Sequence, residues 1–310
     1  MEKEKMNHKK VSVLIPTYHS DETLRRAIDS VLKQTYSDFE VIVVDDNNPT
    51  DEYRKTTEQL MQLYADDKRV KYIQHDKNKN GSAARNTAFA NSEGEYITFL
   101  DDDDFYYPDK LRCEVEFLEQ NSQYGGCYCW RRANSKDICG KYAGDLSEQI
   151  LSLEFTPCMP TLMVRRECYI TLKGFDETYR RHQDFEFLLR FFEKYALGYV
   201  PSVQVEISTN GVNNAPKGKK LVELKTQFFH QFQGKIDEIY SRDQSVGQKI
   251  YRNHFVRAFK DLLRYGHPIL AFQIYFEYHE KCGKVFWRLF FKLCVASQYH
   301  RITGKWPQLD

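Results

Sequence analysis

Residues 94–108 read Gly-Glu-Tyr-Ile-Thr-Phe-Leu-Asp-Asp-Asp-Asp-Phe-Tyr-Tyr-Pro, an apolar segment followed at once by four aspartates. The apolar part, 96–100, predicts a short buried strand. Four adjacent carboxylates repel one another unless a cation and water neutralise them, so they suit the open end of a sheet. Hard oxygen ligands of this kind are those that Mg²⁺ and Mn²⁺ prefer. A solvated acidic loop is the alternative, and this stretch alone does not separate the two.

The neighbouring sequence alternates between strand-like and helix-like patterns. β-branched runs bounded by turn residues predict strands, and apolar residues at three- and four-residue intervals predict helices. The predicted strands are 11–16, 39–44, 70–73 and 96–100, and the predicted helices between them are 24–32, 51–65 and 82–91. This order predicts an α/β fold with a mostly parallel sheet and helices on both faces. Further strands are predicted at 125–130 and 160–164.

Polar clusters follow three of the predicted strands. Pro16-Thr17-Tyr18 ends the first, Asp45-Asp46 the second and Asp101–Asp104 the fourth. Ligands of open parallel sheets bind beyond the carboxyl ends of the strands, so we expect the three clusters to meet at one rim. An aspartate at a strand-to-helix turn often caps the following helix, which is the alternative role for Asp46.

Another candidate carboxylate is Asp184. Phe185, Leu188 and Phe192 recur with helical spacing, which places Asp184 in the first turn of a predicted helix. The helix dipole favours the charged form of a carboxylate there, as a general base at neutral pH requires. A helix-terminal charge without a catalytic role is the alternative.

The composition is that of a folded protein, with 45 Lys and Arg, 44 Asp and Glu and 41% hydrophobic residues among 310. Charge is distributed unevenly: residues 216–310 hold 17 basic and 8 acidic side chains, whereas 1–215 hold 28 and 36. A turn-rich stretch at 210–216 separates these parts, which predicts a sheet domain over 1–215 and a basic helical extension over 216–310. Helices are predicted in the extension at 217–240, 244–265, 268–281 and 284–298.

The eight cysteines form no Cys-x-x-Cys pair at zinc spacing, and several lie in apolar segments, as reduced cysteines do. No run of about 18 apolar residues predicts a membrane span, and residues 1–10 are charged, unlike a signal peptide. We therefore expect a cytoplasmic protein.

Six short motifs, taken in order, resemble those of family 2 glycosyltransferases. They are VLIPTY at 13–18, SVLKQT at 30–35, VVDD at 43–46, GSAARN at 81–86, the aspartates of 101–104 with Pro108, and Gln183-Asp184. Each motif alone is weak, but together they cover about residues 10–205 in register. The resemblance implies an inverting enzyme of the GT-A, Rossmann-like fold in bacterial polysaccharide or glycan biosynthesis. Its expected donor is a nucleotide-sugar, specifically a UDP-sugar.

The resemblance also implies a role for each candidate residue. The nucleotide pocket would be formed by Pro16, Thr17, Tyr18, Asp46 on the uracil ring, Arg85 near the base or phosphates, Asp101, and Asp102 on the ribose. An ion pair with a carboxylate at the sheet rim is an equal alternative for Arg85. Asp103, supported by Asp104, would hold Mn²⁺ or Mg²⁺ against the diphosphate. Asp184 would be the general base.

Two positions depart from the family pattern. Asn47-Asn48 replaces the Gly-Ser that usually follows the aspartate pair, and Asn tolerates positive φ well enough to keep the turn. Gln183 replaces the Glu of a Glu-Asp pair, which leaves the base but puts its neighbour's role in doubt.

Two other functions compete with the transferase. A sugar-phosphate nucleotidyltransferase would need a glycine-rich loop after the first strand, which residues 16–20 lack. A non-catalytic glycan-binding or scaffold protein on the same fold is the other, and intact Asp103 and Asp184 argue against it.

The last predicted helix is basic and aromatic. Lys281, Lys284, Arg288 and Lys292 fall on one stripe at spacings of three and four, with Trp287 beside it. Such a helix suits an anionic membrane surface, so we expect a membrane contact through 281–298 and a lipid-linked glycan acceptor at the inner face of the cell membrane. A helix packed on the first domain is the alternative. No recognition motif supports nucleic acid as a partner.

Overall fold

The computed structural model describes residues 9–20, 22–208 and 216–304, apart from the side chains at 284–286, 288, 289, 293, 297 and 301. By its internal contacts the chain divides into two compact units. The first contains the described residues up to Leu146 and from Pro157 to 208, and the second contains Ser147–Thr156 and the described residues from 216 onward. The predicted boundary between 215 and 216 adjoins 209–215, which lie outside the described residues, and it stays a prediction.

The described part of the first unit contains a nine-stranded sheet. Its strands are β1 (Val11–Thr17), β2 (Phe39–Asp45), β3 (Val70–Gln74), β4 (Tyr96–Phe99), β5 (Phe105–Tyr106), β6 (Gly126–Ala133), β7 (Lys136–Ile138), β8 (Leu162–Arg165) and β9 (Leu197–Ile207). The spatial order is β3-β2-β1-β4-β8-β6-β9-β5, with β7 beside β6. The first four strands pair in parallel, whereas β8 is antiparallel to β4 and β6. The predicted α/β class is confirmed.

Helices alternate with the first strands and then dominate the end of the chain. Up to residue 192 they are α1 (Glu22–Leu32), α2 (Glu52–Gln62), α3 (Gly81–Ala90), α4 (Lys110–Gln120), α5 (Ser147–Leu151), α6 (Arg166–Leu172) and α7 (Gln183–Phe192). Beyond residue 216 they are α8 (Lys219–Gln231), α9 (Gln233–Arg242), α10 (Gln244–Arg264), α11 (Pro268–Cys282) and α12 (Lys284–Thr303).

The core of the first unit explains why its strand ends are fixed in place. Every residue of β2 is buried, and β1 is buried except for partly exposed Pro16, because helices cover both faces of the sheet. The apolar stripe of α1 contributes four buried side chains at helical spacing: Leu24, Ala27, Ile28 and Val31.

The later elements depart from the sequence prediction. β6 continues three residues past the predicted end at 130, and β9 was not predicted. These two strands pair in parallel with an irregular register around Trp130, and Pro201 lies between the paired residues Val200 and Val203 of β9. The single helix predicted over 217–240 is wrong: α8 and α9 are separated at Phe232, whose ψ of 17° leaves the helical range.

The second unit is helical. Its short segment Ser147–Thr156 is tied to α10 by side-chain hydrogen bonds to backbone oxygens. Asn253 Nδ2 donates to the Ser152 carbonyl at 2.8 Å, and His254 Nε2 lies 2.8 Å from the Leu151 carbonyl. Among the helices that the structure describes, none is long and apolar enough to cross a membrane.

Candidate active site

The ends of β1, β2 and β4 form a common rim. Thr17 is in register with Asp45 on β2, and Leu14 is in register with Phe99 at the end of β4. The amide of Asp46 donates to the Thr17 carbonyl at 2.9 Å, which continues the pairing past the last strand residue. The three predicted polar clusters therefore lie at one edge of the sheet.

Asp101–Asp104 form the acidic turn, which directly follows Leu100. The turn is closed by a hydrogen bond of 3.1 Å from the Asp104 amide to the Asp101 carbonyl. The Tyr18 amide donates to Asp102 Oδ2 at 3.2 Å, and the Ser208 amide donates to Asp104 Oδ1 at 2.7 Å. Backbone donors from two distant parts of the chain thus hold two of the four carboxylates.

The acidic turn concentrates negative charge in a poorly hydrated place. Burial, with the charges of Asp101 and Asp103 beside it, raises the pKa of Asp102 to about 7. Burial and the charge of Asp101 raise the pKa of Asp104 to about 8. Among the described side chains, Asp102, Asp103 and Asp104 have no Lys or Arg within ion-pair distance, whereas Asp101 pairs with Arg85.

Arg85, on α3, connects the acidic turn with α7. Its Nη2 donates to Asp101 Oδ1 at 2.6 Å, and its Nη1 donates to Gln183 Oε1 at 2.8 Å. The guanidinium also lies 5.6 Å from the Phe175 ring centroid, and its buried Nε has no hydrogen-bond partner among the described residues. Gln183, whose role the sequence left in doubt, is therefore the acceptor that fixes one side of this bridge.

Asp184 lies in the first turn of α7, as predicted. Its Oδ1 accepts from the Phe185 amide at 3.0 Å. Burial raises the pKa of Asp184 above its ordinary value; Arg85 opposes the shift and Asp101 adds to it. Burial therefore outweighs the stabilisation of the charged form that we expected at a helix N-terminus. Arg85 contacts both Asp101 and Gln183, the residue that precedes Asp184, so the first turn of α7 lies beside the acidic turn.

Asp46 is 2% exposed, and the protein already occupies both of its carboxylate oxygens. Oδ1 is 2.7 Å from His75 Nδ1 and accepts from the Lys79 amide at 2.8 Å, while Oδ2 accepts from Asn78 Nδ2 and the Asn80 amide at 2.9 Å each. Its observed role is to order the loop before α3. The alternative helix cap is wrong for Asp46, because Asp51 caps α2 through the Tyr53 amide. The contact of Asp46 with uracil stays a prediction.

An aromatic stack borders the rim beside β1. The ring centroids of Tyr18 and His19 are 3.9 Å apart, and those of His19 and Tyr53 are 4.6 Å apart. His19 Nε2 lies 2.8 Å from Asp51 Oδ2, which holds the middle ring in place. Tyr18 remains 45% exposed, so one face of the stack is available to a planar ligand.

Arg26 supports the acidic turn, a contact that the sequence did not predict. Its Nη2 donates to the Asp103 carbonyl at 2.6 Å, and its guanidinium lies 4.8 Å from the Phe105 ring centroid. On α1 it looks like any solvent-facing helical arginine, so the sequence carried no signal for this contact. Arg26 also lines a cavity of about 520 Å³ between α1 and β5.

The chemistry of the acidic turn fits a hard divalent cation. Its donors are carboxylate oxygens, and only Asp101 has a cationic partner among the described residues. Within the described part of the chain, no set of three or more His, Cys, Asp or Glu side chains is arranged as a complete metal site. A cation held here would therefore depend on one or two carboxylates and on oxygens of a bound ligand, as Mg²⁺ sites often do.

The sequence profile described as Glycosyl transferase family 2 matches residues 12–145. EpsE of Bacillus subtilis, named as a glycosyltransferase, is 33% identical over 197 residues, which cover 61% of this chain and 69% of EpsE. This chain belongs to glycosyl transferase family 2.

Other similar proteins match this chain over different shares of their length. An uncharacterized glycosyltransferase of Rickettsia conorii is 35% identical over 171 residues. The match covers 53% of this chain but only 27% of that protein. WfgD of Escherichia coli is 33% identical over 135 residues, covering 43% of this chain and 50% of WfgD. The crystal structure of S. aureus TarS 1-349 in complex with UDP-GlcNAc aligns with a TM-score of 0.59 and 17% identity over 97% of this chain and 94% of that one. This last likeness concerns the fold.

Proposed function

We propose that this chain transfers a sugar from a UDP-sugar to a hydroxyl group of a lipid-linked cell-envelope glycan, with inversion at the anomeric carbon. The observation that carries the proposal is the Arg85 bridge. It joins Asp101 of the acidic turn at 2.6 Å to Gln183 at 2.8 Å, next to Asp184. A phosphate-facing acidic turn and a separate carboxylate base in one cleft are the two parts that a single displacement needs.

The donor site is proposed at the rim. Pro16, Thr17 and Tyr18 would line the nucleotide pocket, with the exposed ring of Tyr18 against the base. Asp102 would accept from the ribose, and the guanidinium of Arg85, which contacts Asp101 at 2.6 Å, would lie near the base or phosphates. The crystal structure of TarS in complex with UDP-GlcNAc supports a UDP-sugar as the donor class of this chain.

Asp103 and Asp104 are proposed to hold Mn²⁺ or Mg²⁺ together with the donor diphosphate. A divalent cation there would supply compensation for the charge that develops on the leaving diphosphate. The protein's own contribution is to present these carboxylates on a turn fixed by Arg26 and Ser208. The raised pKa of Asp104, about 8, reflects burial among like charges, which a bound cation would relieve.

Asp184 is proposed to take the proton from the attacking hydroxyl group. Burial raises its pKa above the ordinary value, which makes the carboxylate a stronger base than an exposed aspartate. One base suffices, because the leaving diphosphate does not need to be protonated by a second carboxyl group. Attack from the face opposite the diphosphate would invert the anomeric carbon.

The acceptor class rests on relatives and on the basic end of the chain. WfgD is named as a UDP-Glc:alpha-D-GlcNAc-diphosphoundecaprenol beta-1,3-glucosyltransferase, which is a transfer to a lipid-linked sugar. WcaA of Escherichia coli, 27% identical over 96% of this chain and 97% of its own length, is named for colanic acid biosynthesis. Both names support a cell-envelope glycan as the acceptor of this chain.

The test is transfer by purified protein from a panel of UDP-sugars, with release of UDP as the readout. Asp184→Asn should lower kcat by about a hundredfold or more and leave UDP affinity unchanged, because only the base is lost. Glu193→Gln, which changes an exposed carboxyl at the other end of α7, is the matched control and should leave kcat unchanged. Full turnover by Asp184→Asn would refute this role, whereas no UDP release by the unchanged chain from any UDP-sugar would support a non-catalytic glycan-binding protein.

A further inference from the structure

The last two helices expose an unusual amount of apolar surface. Trp287, Phe291, Val295, Tyr299 and Ile302 of α12 are between 44% and 84% exposed. Their spacing of four, four, four and three residues places them on one side of the helix, along roughly 22 Å of its length. This row is the outward stripe of α12.

A second row lies on α11. Ile269, Phe272 and Phe276 are 77%, 38% and 65% exposed and are spaced by three and four residues. The Tyr275 ring lies 5.4 Å from both Phe276 and Trp287, so the two rows adjoin. Together they form the apolar patch, consisting of Ile269, Phe272, Phe276 and the outward stripe of α12. Soluble monomers rarely leave a contiguous apolar area of this kind in water.

The charge around the patch indicates what covers it. From Lys281 to Leu309 the sequence contains six Lys and Arg and no Asp or Glu. Of these, Lys292 is exposed, and Lys281 is exposed with its Nζ 3.3 Å from the Tyr251 hydroxyl of α10. The side chains of Lys284, Arg288 and Arg301, and Lys305, lie outside the described residues. The carboxylates of α11 are Glu277 and Glu280, and α12 has none.

This distribution of charge distinguishes the two candidates that could cover the apolar patch, a second copy of the chain and an anionic lipid surface. A second copy of the same patch would bring the cations of α12 against a helix without carboxylates, and only Glu277 and Glu280 of α11 could pair with them. An anionic lipid surface supplies both an apolar layer for the aromatic rings and a negative charge for the lysines, and Trp and Tyr favour that interface.

We propose that the apolar patch of α11 and α12 is a docking surface for an anionic lipid bilayer, lying in the interface and not crossing it. The contact differs from the one that the sequence predicted. There, the contact was confined to 281–298 and rested on the basic stripe with Trp287 beside it; in the structure, exposed residues of α11 and of α12 as far as Ile302 belong to the surface. The inference extends the proposed acceptor class, because a lipid-linked glycan lies at a bilayer surface.

The experiment is cosedimentation of the full chain with phosphatidylglycerol–phosphatidylcholine vesicles and with pure phosphatidylcholine vesicles. We expect preferential binding to the anionic vesicles. Trp287→Ser combined with Phe291→Ser should reduce that binding by about tenfold or more. Lys281→Gln combined with Lys292→Gln should weaken only the binding to anionic vesicles, by about fivefold or more.

The matched control combines Leu63→Ser and Ile170→Ser, two exposed apolar residues of the first unit at 64% and 58% exposure. This control should bind vesicles as the unchanged chain does. Circular dichroism and denaturant unfolding check that each variant is folded. No donor or acceptor is needed, so failure here is separate from failure of the proposed transfer.

Two results would overturn the proposal. One is equal sedimentation of the unchanged chain with and without anionic vesicles. The other is a dimer in light scattering that Trp287→Ser with Phe291→Ser converts into a monomer, because a second copy would then cover the patch.

Discussion

Among single residues, Arg85 carries the sharpest prediction, because its guanidinium has a different partner on each side. Replacing it in Arg85→Lys leaves a point charge that cannot hold Asp101 and Gln183 in the same fork geometry. We expect kcat for transfer to fall by about tenfold or more. Steady-state kinetics with the preferred UDP-sugar measure the effect.

Two further variants calibrate that result. Gln183→Glu keeps an oxygen acceptor for Arg85, so it should retain turnover to within about threefold. Arg69→Lys disturbs an exposed pair with Asp67 and should leave turnover unchanged. If Arg85→Lys matched the unchanged chain, the bridge would not be what positions α7 for catalysis.

Lys225 gives a residue-scale prediction about stability. It is 4% exposed, and its Nζ lies 2.9 Å from His254 Nδ1 in the second unit. Burial, helped by the charge of Arg257, lowers the pKa of Lys225 to about 7, whereas the unfolded chain keeps a value near 10.5. Between these values the unfolded state binds the additional proton, so the free energy of unfolding rises with pH.

The expected contribution is a slope of up to about 1.4 kcal/mol per pH unit between pH 7 and 10.5, flattening below pH 7. Lys225→Met should remove that slope and stabilise the protein at pH 7 by about 2 kcal/mol, after the loss of the contact to His254. Denaturant unfolding at pH 7 and pH 9 tests this. Lys220→Met, at an exposed position on the same helix, should keep the slope.

At the scale of elements, the loop between β3 and α3 depends on Asp46. Four donors from residues 75–80 converge on its carboxylate, so Asp46→Ala would leave several buried polar groups unpaired. We expect the free energy of unfolding to fall by about 3 kcal/mol, measured by denaturant titration without ligand. Asp76→Ala, an exposed carboxyl in the same loop, should change it by less than about 0.5 kcal/mol.

Ligand binding then separates the two roles of Asp46. If Asp46→Asn binds UDP as the unchanged chain does while unfolding more easily, its role is confined to the loop. A weaker affinity for UDP in a folded variant would support the uracil contact that the family resemblance implies.

The same scale explains what could be predicted from sequence. β1, β2 and β4 are short, almost entirely buried runs whose pattern is local, and the ends of all three were predicted to within about one residue. β9 was missed because its identity comes from pairing with β6 across an irregular register. The proximity of Asp184 to the acidic turn likewise depends on Arg85, which reaches Gln183 from 98 residues away. Periodicity and single motifs carry no information about such long-range contacts. Only the resemblance to family 2 glycosyltransferases suggested that Asp184 lies near the acidic turn.

For the molecule as a whole, the candidate active site and Lys225 lie in different compact units. Ligand binding stabilises the unit that it touches, by about 2.7 kcal/mol at a concentration about a hundredfold above Kd. In calorimetry, UDP with Mn²⁺ should therefore raise the midpoint temperature of one unfolding transition. Lys225→Met should raise the midpoint temperature of another. A single transition that responds to both changes would mean that the units unfold together, and the separation inferred from the contacts would not extend to their stability.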